Sequence, residues 1–349
     1  MPDSEQFPQA RVLVLGANGF IGHRLVEALI REPNLQPVAA VRRLGRGPER
    51  PEVETVVCDA TDRAAMERVL AGVDFAVNCV AGNDAAMVAA TTVLCDVARR
   101  SGLRRMVHLS SMAVYGGATG LVDEAATPVT PMNAYSLAKQ ACETSVRDYI
   151  RDGGEAVILR PGCVYGPGSE PWTGRIARLL QAGRLGDLGA DGDGVCNLAY
   201  IDDLIAAIVV ALGRPDVAGE AFNIASADPP DWNTYLKQFA RVLGATPVQR
   251  LSGRRLKLET RLGAPALRLA AIGAKLAHLS VRIPDAITPS LTALLRQDIR
   301  LDVRKATDRL GVGQTGLEWG LAASARWLSA KRAEPATPRA EPVLKVRQQ

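Results

Sequence analysis

The stretch Arg11-Val12-Leu13-Val14-Leu15-Gly16-Ala17-Asn18-Gly19-Phe20-Ile21-Gly22 decides the fold. Residues 11–15, mostly apolar, read as a short buried strand. A glycine turn follows at once. Then Phe20, Ile21, Leu25, Val26, Leu29 and Ile30 recur at helical spacing. Strand, turn and helix in this order make a site for a dinucleotide. Gly16 permits the tight turn, and Gly19 lacks the Cβ that would hold a pyrophosphate off the backbone. Gly22 lets the helix pack close against the strand. The amides around Asn18, Phe20 and Ile21 and the positive end of the helix dipole then face the phosphates. The spacing G-x-x-G-x-x-G is a variant of the usual dinucleotide fingerprint, and its bland alternative is a structural glycine turn.

The chain after this unit keeps alternating strand and helix. Residues 37–41 form a second strand that ends in Arg42-Arg43. In a dinucleotide fold an acid near this place binds the ribose 2′-hydroxyl, whereas arginine accommodates a 2′-phosphate. Two guanidiniums and no acid favour NADP(H) over NAD(H) as cofactor. The competing reading is a solvated basic loop over 42–50, kept flexible by Gly45 and Gly47. Residues 53–57 form a third strand, and Asp59 and Ala60 just past it are candidate cofactor contacts. Asp59 would bond the adenine amine or cap the helix that follows Thr61. Residues 75–80 form a fourth strand ending at Ala81-Gly82, small enough for the chain to approach the cofactor. A helix over 84–100, a strand over 105–109, a helix over 133–151 and a strand over 156–159 complete the run. The expectation is an α/β fold: a doubly wound, mostly parallel, Rossmann-type sheet with helices on both faces. A smaller C-terminal substrate-binding α/β region follows.

From Arg160 onward the rhythm changes to a breaker-rich loop. The expected division is a dinucleotide-binding core over 1–160, with part of 196–225 returning to it. A mainly substrate-binding region spans 161–330, and a disordered tail spans 331–349. Residues 172–182, 200–212 and 231–243 read as helices and 221–224 as a strand. In the segment 251–279, Arg261, Arg268 and Lys275 fall seven apart, and nearly everything between is Leu, Ala, Ile or Gly. Three readings compete for it: a lid or core helix with a thin wet edge, a helix lying on a membrane through 261–279, or a subunit interface such as a homodimer would use.

The 349 residues carry a net charge of +5, with 47% apolar, 23% charged and only 4% aromatic residues. This is ordinary globular composition. Neither a base-stacking surface nor an aromatic-interleaved basic patch is evident, so no nucleic-acid partner is expected. The six cysteines make no C-x-x-C pair, and His23, His108 and His278 are scattered, so no metal site is expected. The cysteines read as small buried residues of a reducing compartment. The first nine residues lack the basic and apolar regions of a signal peptide. The longest apolar run, 204–212, is too short to span a bilayer. A cytoplasmic location is the expectation.

The chemistry-bearing set is Ser111, Tyr135 and Lys139. Tyr135 and Lys139 are four apart on one helix and share a face. A free phenol, with a pKa near 10, exchanges protons poorly at neutral pH, and a neighbouring ammonium lowers that pKa. Tyr135 would then serve as general acid to a ketone or general base to an alcohol. Ser111 follows a strand that should end at the same face of the sheet, and its hydroxyl would hold the reacting oxygen. The nicotinamide supplies or takes the hydride. Tyr115 and Tyr165 lack a lysine four residues on and read as loop-packing residues.

With these residues in place, the chain resembles the extended short-chain dehydrogenases/reductases of the NAD-dependent epimerase/dehydratase family. The matching motifs are Gly16 to Gly22, Ser110-Ser111 running into Val114-Tyr115-Gly116, Tyr135 with Lys139, and Arg160-Pro161-Gly162-Cys163-Val164-Tyr165-Gly166-Pro167. Tyr200-Ile201-Asp202-Asp203 and Lys305 to Leu310 also fit. The resemblance implies a catalytic Ser111, Tyr135 and Lys139, with the last two also touching cofactor, and it places Pro161 to Val164 beside the nicotinamide. Two departures narrow the chemistry. Dehydratases of this family carry Asp-Glu just after the active serine or threonine, where this chain has Met112 and Ala113. Nucleotide-sugar members often carry an arginine where this chain has Cys196. The wording Asn197 to Tyr200 resembles members acting on apolar ketones and alcohols. Three readings are therefore carried forward: an NADP(H)-preferring oxidoreductase acting on an apolar small molecule, a nucleotide-sugar epimerase with tightly held NAD, and a cofactor-binding regulator without turnover.

Overall fold

The computed structural model describes residues 10–44, 51–127, 129–277 and 283–333. Residues 1–9, Gly45 and Gly47, His278 and the tail beyond 333, all subjects of the sequence reading, lie outside the described residues, as does the side chain of Lys275.

Seven strands form one parallel sheet: β1 (Ala10–Leu15), β2 (Leu35–Val41), β3 (Glu54–Val57), β4 (Phe75–Asn78), β5 (Arg105–Leu109), β6 (Ala156–Pro161) and β7 (Ala221–Ile224). Their spatial order is β3-β2-β1-β4-β5-β6-β7. The order reverses between β1 and β4, and such a switch point opens a crevice at the carboxyl ends of the strands. Alternate residues of β1 feed two cores, as a strand buried on both faces must. Val12 and Val14 pack with Leu25 and Leu29 of α1 (Phe20–Leu29). Leu13 and Leu15 pack with Met66 and Leu70 of α2 (Arg63–Leu70) and with Leu94 of α3 (Asp84–Ser101).

The helix ends follow local chemistry. Asp62 caps α2 and Asn83 caps α3, each accepting from first-turn amides. Asn133 caps α4 (Ala134–Arg151) by accepting from the Ser136 amide at 2.9 Å. The cap of α2 corrects one expectation: Asp59 does not cap that helix. Its carboxylate instead accepts from the amide and hydroxyl of Thr61, a local turn.

Beyond β6 the chain builds α5 (Arg175–Gln181), α6 (Ile201–Gly213), α7 (Trp232–Val242), α8 (Gly253–Leu258), α9 (Ala264–Leu276), α10 (Pro289–Leu295), α11 (Arg304–Leu310) and α12 (Leu317–Ala333). A single π-helical turn, Glu259–Gly263, joins α8 to α9. Two short parallel pairs escaped the sequence reading: Gly120–Val122 with Ile299–Leu301, and Cys163–Tyr165 with Leu198–Tyr200. The Asn197 side chain ties them together, donating to the Ile299 carbonyl at 2.7 Å and accepting from the Leu301 amide at 2.9 Å.

The segment after residue 251 is not a core helix with a thin wet edge. Ala264 is the one buried residue among the described side chains of α9, and Leu262, Leu269, Ile272 and Leu276 are exposed together with Arg261 and Arg268. Its apolar composition therefore does not report burial.

Candidate active site

The glycine turn behaves as its spacing demands. Gly16 takes φ +77°, and a Cβ there would lie 2.9 Å from the Cys79 carbonyl oxygen, where β1 and β4 diverge. A Cβ at Gly22 would lie 2.4 Å from the Gly16 carbonyl oxygen. At Gly19 the built Cβ meets only that same oxygen, at 3.1 Å, and Asn18 and Gly19 are exposed at the mouth of the crevice. Unlike α2, α3 and α4, α1 has no side-chain cap, and no acidic residue stands in its first turn as Asp84 does in that of α3. The amides of Phe20, Ile21 and Gly22 and the positive helix end are thus left for an anion, which fits a dinucleotide pyrophosphate. The Phe20 ring does other work: it lies against Gly168, closing the loop after β6 onto the start of α1.

The other expected cofactor residues stand at the carboxyl ends of neighbouring strands. Arg42 and Arg43 are exposed at the end of β2, and the Arg42 charge helps hold the Asp59 carboxyl low, after the larger effect of its bonds to Thr61. Ala60 is half-buried and Ala81 exposed beyond β3 and β4. Pro161, the last residue of β6, and Val164, just past it, are both buried.

Tyr135 and Lys139 occupy the first two turns of α4. Tyr135 is 39% exposed, while Lys139 is buried with its Nζ 5.9 Å from the Tyr135 ring centroid. The Lys139 ammonium donates to the Leu109 carbonyl at 2.6 Å, anchoring α4 to the end of β5. Ser111, two residues on, accepts from the Ala113 amide at 3.2 Å and lies close enough to the phenol to favour the phenolate. All three predicted catalytic residues therefore meet beside the crevice.

The expected acidification of Tyr135 by Lys139 is not realised in this arrangement. Desolvation raises the phenol's pKa, Ser111 opposes it, and Cys163, Asp84 and Cys142 add to the rise. Desolvation likewise lowers the pKa of Lys139. A water-poor pocket penalises phenolate and ammonium alike, and the ammonium is turned to a backbone carbonyl. Tyr135 is open on its crevice side, so a group entering there changes this balance directly.

Sequence reasoning missed what lies beneath. Glu143, one turn past Lys139, forms a buried two-point ion pair with Arg160: Nε to Oε1 at 2.8 Å and Nη2 to Oε2 at 2.6 Å. Ser110 donates to the same carboxylate at 2.6 Å. Arg160 goes on to donate to the Tyr115 hydroxyl at 2.9 Å, and Tyr115 donates to Asn223 Oδ1 at 2.7 Å. The network thus links the ends of β5 and β6, α4 and β7. Burial alone would raise the Glu143 carboxyl, but Arg160, with Ser110, holds it below the usual range. The available signal was the i, i+4 step from Lys139 and the arginine opening the Arg160-Pro161-Gly162 motif. Tyr115 and Tyr165 are buried, as packing residues should be. Next to Lys139, burial pushes the His108 imidazole down to about 3, so it is neutral. Its Nδ1 faces Asn78 Nδ2 at 3.2 Å. Among the described residues no three His, Cys, Asp or Glu side chains cluster as a metal site.

The model of the NAD dependent epimerase/dehydratase family matches residues 12–225. The chain is 30% identical over 261 residues to the 3-diazoavenalumate denitrifying reductase of a Streptomyces species, covering 69% of this chain and 84% of that one. It is 31% identical over 244 residues to the 2′-dehydrokanamycin reductase of Streptomyces kanamyceticus, covering 67% of each. In fold it is similar to the UDP-glucuronic acid 4-epimerase of Bacillus cereus in complex with NAD, with a TM-score of 0.70, 21% identity, and coverage of 92% of this chain and 99% of that one. With the glycine turn, the Tyr135–Lys139 pair and a family model matching more than half its length, the chain belongs to the NAD dependent epimerase/dehydratase family and is an NAD(P)-dependent enzyme of the extended short-chain dehydrogenase/reductase type.

Proposed function

We propose that the protein transfers hydride between NADP(H) and a ketone or secondary alcohol on a mainly apolar small molecule. The observation that carries this is the convergence of Ser111, Tyr135 and Lys139 at the crevice beside the uncapped start of α1. Tyr135 is the general acid toward a ketone and the general base toward an alcohol, and Ser111 orients the reacting oxygen. Lys139 holds the floor of the pocket through Leu109 and contributes its charge from there. The nicotinamide supplies or takes the hydride when bound. Gly16 to Gly22 hold the pyrophosphate, and Arg42 and Arg43 the 2′-phosphate. Asp59, Ala60, Ala81, Pro161 and Val164 complete the cofactor contacts.

An apolar substrate is supported by what stands near the reacting groups. Met112 and Ala113 occupy the places where a dehydratase needs acids. Val129 and Met132, on the loop leading into Tyr135, are exposed. Cys196, at the place of a diphosphate-holding arginine, is fully buried. Residues 161–330 form the greater part of the substrate-binding region. A cytoplasmic location belongs to the same reading, supported by six free cysteines.

A second reading, a nucleotide-sugar epimerase retaining NAD, draws on the activities of several relatives, such as the UDP-glucose 4-epimerase of Mycolicibacterium smegmatis. One screen separates the two. Steady NADPH consumption with steroid, flavonoid or polyketide ketones supports the oxidoreductase, and sugar-nucleotide interconversion without net cofactor change replaces it with the epimerase. In either case Tyr135→Phe is expected to keep cofactor affinity and lose at least 100-fold in turnover, the usual scale of acid–base catalysis. Near wild-type turnover would remove Tyr135 from the mechanism.

A further inference from the structure

The continuous helical segment 253–276, formed by α8, the π-turn and α9, presents an apolar stripe that nothing among the described residues covers. Leu258, Leu262, Leu269, Ile272 and Leu276 are each between 51% and 77% exposed. With Pro265, itself exposed, they recur at steps of four and three residues, which keeps them on one side of a helix. Isolated exposed leucines are ordinary, but a contiguous row marks an interaction surface. The opposite side is committed to the protein: Leu256 and Ala264 are buried, and Glu259 pairs with Arg184. In proteins most helical stability comes from packing of an amphipathic face, so this unpacked row suits an occupant.

The charges beside the stripe identify that occupant. Residues 253–277 contain six lysines and arginines and one acid, Glu259, which is already paired. Arg254, Lys257, Arg261 and Arg268 are exposed, and none of the four forms an ion pair with a described carboxylate. Pairing two copies of this helix would set cations against cations, the opposite of the charge pattern that joins helices. An apolar row flanked by unpaired cations matches a bilayer surface with anionic headgroups. No described helix is long and apolar enough to cross a membrane, so the contact is with the surface.

We infer that residues 253–276 dock this enzyme on anionic membrane surfaces. Leu258, Leu262, Leu269, Ile272 and Leu276 enter the headgroup boundary, and the flanking arginines and lysine meet lipid phosphates. The inference rests on the exposed surface and not on the reaction assigned above, so the two fail separately.

Flotation of the full-length protein with vesicles tests it. The protein is expected to float with vesicles containing phosphatidylglycerol and to bind at least tenfold less to pure phosphatidylcholine. The triple variant Leu262→Glu, Leu269→Glu, Ile272→Glu stays at the bottom while its far-UV circular dichroism and NADPH binding remain wild type. Neutralising Arg261 and Arg268 to Gln lowers binding and its salt sensitivity together. Failure of the wild type to float with anionic vesicles overturns the inference, as does flotation of the triple variant. Sedimentation showing a dimer that the triple variant dissolves also overturns it, and assigns the stripe to a second copy.

Discussion

Replacing Gly22 by alanine sets two effects of opposite sign against each other. Gly22 lies inside α1, with no positive φ, and by helix propensity alone alanine stabilises such a position by about 1 kcal/mol. The structure predicts the reverse. The new Cβ would lie 2.4 Å from the Gly16 oxygen, 2.9 Å from the Gly16 carbonyl carbon and 3.0 Å from the Ala17 Cα. An ordinary contact begins at 3.4 Å, so the shortfall against the oxygen is 1.0 Å. All three atoms are backbone and none can swing aside. Relief requires α1 to move away from β1, an overpacking cost of about 1–3 kcal/mol, at the upper end because backbone must shift. The net expectation is a loss of about 1–2 kcal/mol and a melting point lower by about 1–3 °C. The same displacement draws the Phe20 and Ile21 amides away from the phosphates. Cofactor affinity should therefore fall at least tenfold, which corresponds to about 1.4 kcal/mol. Thermal melts and NADPH fluorescence titration measure the two losses. A Gly22→Ala protein that melts higher and binds cofactor as well as wild type would refute the steric reading of the turn.

Three further outcomes are expected. Arg42→Ala with Arg43→Ala should weaken NADPH far more than NADH in paired titrations, and equal weakening would remove the reason for preferring the phosphorylated cofactor. Glu143→Gln leaves the buried Arg160 guanidinium without its anion and should cost about 3–5 kcal/mol in urea unfolding, whereas Glu143→Leu with Arg160→Met should recover much of that loss; an unchanged midpoint in the single variant would show that the pair is not buried in solution. His108 binds its proton more weakly folded, near pH 3, than unfolded, near pH 6.5, so its contribution is complete above pH 6.5 and lost as pH falls toward 3. Each unit lost in that window costs about 1.4 kcal/mol, or about 2 kcal/mol from pH 6.5 to pH 5. His108→Gln should flatten that part of the urea-midpoint profile, and identical slopes would refute a neutral buried imidazole. Glu143, whose folded pKa is lowered, keeps its contribution above its ordinary value of 4.5 and loses it as pH falls from there through the folded value, so it is silent between pH 6.5 and pH 5.

Much of the molecule was legible in local pattern. The apolar run before Gly16, the helical spacing after Gly19 and the repeated alternation of strand and helix are short-range signals, and the parallel sheet follows from them. Tyr135 and Lys139 were visible because one helical turn separates them, and Asn133 was visible as the start of their helix. What only the tertiary structure decided depends on surroundings that no window of sequence contains. Glu143, Arg160, Tyr115 and Asn223 meet across as many as 108 residues of chain, brought together by strand order. The phenol and ammonium of Tyr135 and Lys139 shift by desolvation, a property of the pocket and not of their spacing. The leucines of 258–276 look like core residues by composition, yet the fold leaves them facing outward. Periodicity states which residues share a face, and only packing decides whether that face meets protein, ligand or solvent.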